Sequence, residues 1–588
     1  MIFPMPQTHV LTDGTYKLKN KYSKNLFAFY NEIKNGNSDI TIDKNALLGK
    51  EEYLLSVTKD GINLTASCDE GLYRAATSLF QLMGCGDSIE CIKVADKPAL
   101  SRRGYMLDIC SCRMRKPETI KKLIDFLSIL KYNEFQLYME GDCFKYDAYP
   151  EYTKNFNCLT PEDIRELDAY CRERFIDLVP NQNSFGHLAI WLEREEFKPL
   201  AIADETTNTG SINPLLPESF EFITNLYESL LPNFSSEYVN IGLDEAHGLG
   251  RFQVEEYCKK HGRDALFMEW LNKLSSHIRE KYGKKVMFWG DMIYKWAELY
   301  GKIPQDAVIM EWGYELIQSQ LMTEHCIAFE KTGLEYYVCP SCNTHTSFTG
   351  RADVTTFNIR TAAEIGVKYG AKGLLLTDWG CGEGHPHSDL WSYVPIALAG
   401  QYGWNIGAEQ DGETFKADFI RNAEAFVDKE IFGGVPVSRL MYRVANYYLL
   451  EPERVHLGSM CGLLFRFPLS QTNYHYFFDL KDSGDPFYFD NVTEYIEKIL
   501  KDIRALEFDS VLKREIILNC EMVILSSELC KMRLGKKASS DEAKKLIAMI
   551  DAIASEYREL WCIRNYEKGV EHFESQLALH RKELSEMI

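Results

Sequence analysis

Two adjacent carboxylates, Asp244 and Glu245, end a run of strand-type residues in YVNIGLDEAHGLG (residues 238–250) and lead directly into a glycine-rich turn. When two carboxyls share a low-dielectric strand end, the proton affinity of one of them rises. It can then stay protonated near neutral pH and serve as a general acid. The letters DEAH also occur in nucleotide-driven strand separators, but those need a glycine loop ending in Lys followed by Ser or Thr. Gly-Lys pairs here run on instead to residues such as Glu51, Lys285 and Lys537. With 86 acidic against 66 basic residues and a formal net charge of -20, the chain repels a phosphate backbone, so no nucleic-acid partner is expected.

The elements that must position these acids are legible as alternating apolar strands and longer amphipathic helices. Eight strands are predicted: GYMLDI, EFQLYME, IDLVPNQ, YVNIGLDE, KVMFWGD, AVIMEWG, EYYVCPS and GLLLTDW. Helical runs such as ETIKKLIDFLSILK and PEDIRELDAYCRERF separate them. Eight consecutive strand–helix units predict a (β/α)8 barrel, with the active site at the C-terminal strand ends. Those ends carry Asp108, Glu140, Asp244, Glu245, Trp289, Asp291, Trp312, Asp378 and Trp379. Three tryptophans at such positions predict an apolar wall for a sugar ring. The expected organisation is a small α+β domain over residues 1–97, the barrel over 98–408 and a helical C-terminal domain over 409–588. The last carries no motif with evident chemistry, and its helices are spaced to pack on the barrel or on another subunit, which leaves a homo-oligomer open.

At 588 residues, 45% apolar and 26% charged, the chain is long enough for a large core. Its start, MIFPMPQTHVLTDG, has neither the basic nor the apolar region of a signal peptide, and no uninterrupted apolar stretch reaches membrane-spanning length. Seventeen cysteines, an odd number scattered along the chain, read as reduced thiols. A cytoplasmic protein with no membrane partner is expected.

The ordered motifs resemble glycoside hydrolase family 20, the exo-β-N-acetylhexosaminidases, in a bacterial subgroup. PALSRRGYMLDI with PETIKKLIDFLSILKYNEFQLYME resembles that family's first barrel strands, IGLDEAHGLG its Asp-Glu signature, and NIRTAAEIGVKYGAKGLLLTDWG its last two strands. GLYRAATSLFQLM resembles the domain that precedes the barrel. The resemblance implies a retaining, substrate-assisted hydrolysis of a terminal β-linked N-acetylglucosamine or N-acetylgalactosamine from a glycan or amino-sugar oligosaccharide, with no cofactor and no protein nucleophile. By the same resemblance Glu245 is the general acid and base, and Asp244 holds the acetamido N–H. His187 and Glu140 relay a hydrogen bond to Glu245, and Trp289, Trp312 and Trp379 wall the sugar. Asp291 joins the substrate-binding set. Tyr314 is the candidate donor to the acetamido oxygen, with Tyr337 as its competitor.

Two positions depart from the family pattern. The arginine expected three residues after Asp108 is Ser111, and the acid expected two residues after Trp379 is Cys381. Arg113 and Glu383 lie close by and are candidate substitutes, Arg113 because strand side chains repeat their facing every second residue. Relaxed or redirected specificity, toward a 3- or 4-substituted or differently configured sugar, is one implication. A binding protein without turnover is another. Cys110, Cys112, Cys339, Cys342 and Cys381 with His345, His385 and His387 raise a third reading, a zinc-dependent glycan hydrolase, against the reading of plain buried thiols with no metal.

Overall fold

The computed structural model describes the whole chain except residues 1, 37, 85, 111, 112, 142, 155, 156, 381–385, 408–411, 472, 475–477 and 480–484. For 412–418, 473–474 and 478–479 it describes the backbone alone.

Five strands, β1 (Thr8–Lys17), β2 (Ile40–Lys44), β3 (Tyr53–Val57), β4 (Ile62–Ala66) and β5 (Ser88–Asp96), form a sheet in the order β1-β5-β3-β4-β2. The alternating burial of β3 and β4 leaves one face for helix Asp69–Met83 to cover.

A closed barrel follows, built from β6 (Arg102–Asp108), β7 (Glu134–Met139) and β8 (Asp177–Gln182), then, past a short hairpin of β9 (Ala201–Ala203) and β10 (Asn208–Ile212), from β11 (Tyr238–Asn240), β12 (Lys285–Trp289), β13 (Val308–Trp312), β14 (Glu335–Cys339) and β15 (Gly373–Asp378). All eight pair in parallel, and the ring closes where β15 meets β6. These are the eight predicted strands. They are buried on both faces because helices cover the outside and side chains fill the inside, so they read as continuous apolar runs. Met106, Val179, Met287, Met310 and Leu375 pack the interior. The covering helices start cleanly: Pro117 and Pro161 occupy first-turn positions, and Thr160 with Asp163 forms a capping box.

Only β11 is much shorter than its sequence suggested. It ends at Asn240, and Gly242 (φ 73°), Leu243 (φ 72°) and Glu245 (φ 44°) turn through left-handed backbone, so the two acids ride on a tight turn and not on the strand. Cys339 lies with Cys110 in the barrel interior, whereas Cys342 faces the outer core. The CxxC sulfurs thus belong to opposite faces, and among the described residues no group of three His, Cys, Asp or Glu is arranged to hold a metal ion. Cys112, Cys381 and His385 lie outside the described residues.

A buried ionic seam joins the small domain to the barrel. Lys131 Nζ donates to Asp96 (3.0 Å) and Tyr53 (2.9 Å), with the Trp404 ring 4.3 Å away, while Asp96 also accepts from Trp404 Nε1. Beside it Glu51 pairs with Arg74 and Arg103. Removing one member of such a pair strands a charge out of water. Lys131→Met is therefore expected to cost about 3 kcal/mol, read as a lowered unfolding midpoint in denaturant.

The remaining chain is mostly helical, with helices Gly412–Glu430, Ser438–Val444, Met460–Leu464, Phe487–Ala505, Ser510–Arg533, Ser540–Arg564 and Val570–Ser585 and one short antiparallel pair of strands, Asn473–Tyr474 and Phe478–Asp479. Parts of it hydrogen-bond to the loops at the C-terminal strand ends of the barrel. No described helix is long and apolar enough to cross a membrane.

Candidate active site

The loop after β8 and the turn after β11 meet through two glycines. A Cβ on Gly186 would run into the carbonyl oxygen of Asp244, and one on Gly242 would overlap the Asn183 amide. Only glycine allows this approach, and it sets His187, itself left-handed at φ 54°, beside both acids. His187 Nε2 lies 3.3 Å from Asp244 Oδ2 and 3.3 Å from Glu245 Oε2, and its Nδ1 lies 3.2 Å from Glu140 Oε1. Glu140 also accepts from the Tyr138 hydroxyl (2.8 Å), which accepts in turn from Asn183 Nδ2 (2.8 Å). Sequence reasoning missed Tyr138 and Asn183. The one signal available was that Tyr138 stands two residues before Glu140, near the end of β7, where side chains of like facing recur every second residue.

Burial works against a charge on His187, but the Asp244 carboxylate and the close contacts with Glu140 and Glu245 outweigh it and hold the imidazole well above its ordinary value. The contact with His187 in turn lowers Glu245, overriding burial. The raised carboxyl of the cluster is instead Asp291, pushed up to about 7 by burial and by the neighbouring Asp244 charge. Its Oδ2 accepts the Glu245 backbone N–H at 3.0 Å, and its Oδ1 accepts Trp312 Nε1 at 3.4 Å. The raised proton affinity thus falls on a third carboxyl, two residues past Trp289.

This displacement has a measurable consequence. Asp291 binds its proton more tightly folded than unfolded, so stability declines as pH rises from about 4 to about 7. Asp291→Asn cannot ionise yet keeps an oxygen for the Glu245 N–H. Its thermal and denaturant stability is expected to match wild type at pH 4 and to exceed it at pH 8 by on the order of 2 kcal/mol.

The three tryptophans converge above these acids. The Trp289 and Trp379 rings are 6.3 Å apart, Trp379 meets Tyr138 edge-on at 4.6 Å, and Trp312 lies 5.1 Å from Tyr314. The Tyr314 hydroxyl accepts from Trp379 Nε1 at 3.0 Å, leaving its own proton to donate. Tyr337 sits at the opposite end of the barrel, bonded to Arg102 and Glu134, so the structure separates the two competing tyrosines.

Arg113 is not drawn into the cluster. β6 ends at Asp108, so strand alternation no longer governs the loop beyond it. The guanidinium packs 5.5 Å from the Trp561 ring, with Nη1 3.8 Å from Asp389 Oδ1. Asp378 is likewise engaged elsewhere, accepting from Tyr105 and Thr344. His345 and His387 are buried and held below the ordinary histidine value, chiefly by burial. Glu383, Ser111 and Cys381 lie outside the described residues.

Fold and site together define a (β/α)8-barrel protein with a carboxylate–histidine cluster beneath tryptophan walls at the C-terminal strand ends. Family models give the particular family. Residues 101–355 match "Glycosyl hydrolase family 20, catalytic domain" and residues 23–97 match "Glycosyl hydrolase family 20, domain 2". The chain belongs to glycoside hydrolase family 20. It is 28% identical over 313 residues to a beta-hexosaminidase of Vibrio furnissii, across 47% of this chain and 51% of that protein. It spans about half or less of the length of the curated relatives it matches. In fold it is similar to a beta-N-acetylhexosaminidase structure from Bacteroides fragilis (TM-score 0.59, 21% identity, covering 73% of this chain and 96% of that one). It is also similar to a Flavobacterium johnsoniae chitobiase structure (TM-score 0.59, 17% identity, covering 98% of both chains).

Proposed function

We propose that the protein is a retaining exo-β-N-acetylhexosaminidase acting on terminal β-linked N-acetylhexosamine in glycans or their fragments by substrate-assisted catalysis. The observation that carries this reading is the convergence of Asp244, Glu245 and the Tyr314 hydroxyl beneath Trp289, Trp312 and Trp379. Asp244 is buried, and its Oδ1 has no hydrogen-bond partner among the described residues. It suits the acetamido N–H, while Tyr314 donates to the acetamido oxygen. So held, that oxygen attacks the anomeric carbon as Glu245 protonates the departing glycosidic oxygen, giving an oxazolinium ion. Water then attacks the same carbon and gives its proton to Glu245, and the configuration is retained.

Glu245 must carry a proton for the first step. Its side chain is 43% exposed, and a bound glycan would cover it. Burial then raises its proton affinity. The beta-hexosaminidase name of the Vibrio furnissii relative supports the same reaction. Ser111 and Cys381, replacing two contacts of the family pattern, support a narrower reading of specificity toward a 3- or 4-substituted or differently configured sugar. The odd number of cysteines supports a reducing, cytoplasmic setting.

The test is hydrolysis of paired chromogenic β-glycosides of N-acetylglucosamine and N-acetylgalactosamine, with and without a chelator. Turnover insensitive to chelator and absent in Glu245→Gln is expected. Chelator-sensitive turnover would favour the zinc-dependent reading. Saturable sugar binding with no turnover on simple or 3- and 4-substituted glycosides would favour a binding protein.

A further inference from the structure

The C-terminal helices have no chemistry of their own in the sequence, yet they hold the catalytic-end loops of four barrel strands. After β6, Lys116 N–H donates to the Arg564 carbonyl (3.0 Å) and Tyr566 N–H to that of Met114 (2.9 Å). After β15, Ser388 N–H donates to Asn519 Oδ1 at 3.1 Å.

The two remaining attachments fall next to the proposed acetamido pocket. Glu315, directly after Tyr314, accepts from Leu457 N–H at 2.8 Å and pairs with the buried Arg351 at 2.7 Å, both through Oε1. Thr346, on the loop after β14, accepts from Ser459 N–H at 3.0 Å. Leu457 is left-handed at φ 57°, and a Cβ on Gly462 would run into the Thr346 carbonyl, so segment 457–462 is shaped to this contact. The His345 ring, one residue before Thr346, lies 6.0 Å from that of Tyr314. One short segment of the C-terminal domain thus ties together the two loops that flank the Tyr314 hydroxyl.

We infer that the C-terminal helical domain is a structural part of the catalytic mouth, and that Glu315 is the positioning residue through which segment 457–462 holds Tyr314 against the substrate. The catalytic half of this inference rests on the proposed hexosaminidase reading. A displacement of Tyr314 by a fraction of an ångström would degrade the acetamido attack without removing any group that touches the sugar. Loss is therefore expected in kcat more than in KM.

The test is a double-mutant cycle in the full chain. Glu315→Ala is expected to lower kcat on the N-acetylhexosaminide by roughly 10- to 100-fold with KM within about threefold. In a Tyr314→Phe background the same change is expected to cost less than about threefold, because there is no hydroxyl left to misplace. Gly462→Ala moves Thr346 without touching Arg351, and is expected to lower kcat in the same sense if Glu315→Ala proves too unstable to assay. Equal losses from Glu315→Ala in both backgrounds, or unchanged kcat in folded Glu315→Ala and Gly462→Ala proteins, would overturn the inference. Amide hydrogen exchange reads the latch without turnover, and so separates failure of the latch from failure of the hexosaminidase reading. Faster exchange in Glu315→Ala across 313–316 and 343–347, as well as 455–462, is expected. A rise confined to 455–462 would show that the segment holds nothing but itself.

Discussion

Glu245→Gln is expected to lower kcat on N-acetylhexosaminides with poor leaving groups by roughly 10³-fold, the range for loss of a positioned general acid. Binding should change little, because the amide is isosteric and His187, beside the Glu245 carboxylate, remains in place. The size of the loss depends on the leaving group. An alkoxide cannot depart without a proton, whereas an activated phenolate can, so the defect on an activated aryl glycoside should be much smaller in the first step. Deglycosylation also needs Glu245 as the base, so it becomes limiting there, and added azide, which needs no deprotonation, should restore turnover. Steady-state kinetics across aryl leaving groups of graded acidity, with and without azide, checks this. A uniform loss across the series would remove Glu245 from the acid role.

Asp244→Asn is expected to cost on the order of 10²–10³ in kcat on every substrate, activated ones included, because it acts on the acetamido attack that precedes proton delivery. Asp244 Oδ1 is buried and has no partner among the described residues, so it is poised for a donor. The substituted amide keeps one acceptor but loses the charge that faces the developing oxazolinium. A second effect separates this from a general loss of structure. Asp244 is the foremost of the groups that hold His187 above its ordinary value against burial, and removing its charge lets the imidazole deprotonate at lower pH. An NMR titration of the His187 ring should therefore shift downward in Asp244→Asn, and the pH profile of the residual activity should move with it. Unchanged kcat in this variant would be incompatible with substrate assistance.

The carboxylate cluster shows why local sequence identifies the groups but not their protonation. Adjacent Asp244 and Glu245 suggested that one of the pair would take the raised proton affinity. Folding places His187 against both and Asp291 beneath the Glu245 backbone. His187 holds Glu245 down, and the raised proton affinity falls on a residue 46 positions further along the chain. Coulomb energies depend on separations of a few ångström across the barrel mouth, and these are outside the reach of sequence spacing.

What the sequence determined by itself is the barrel and the residue types at its mouth. A strand buried on both faces must be continuously apolar, and the helix that follows must be amphipathic. Eight repetitions of that pattern leave little choice of fold, and the polar or aromatic residue that ends each apolar run marks the catalytic end. The acids, Glu140 and the three tryptophans were legible for that reason, and His187 through the family resemblance alone. The tertiary structure separated Tyr314 from its competitor Tyr337, by bonding the Tyr337 hydroxyl to Arg102 and Glu134 at the barrel floor and the Tyr314 hydroxyl to Trp379 at the mouth. It also turned Arg113 toward Trp561, since a loop past the end of a strand takes its facing from whatever packs upon it. It parted Cys339 from Cys342 across the barrel wall. And it brought residues 457–462 back to Glu315 and Thr346, a contact between segments over a hundred residues apart that leaves no periodicity for a sequence to show.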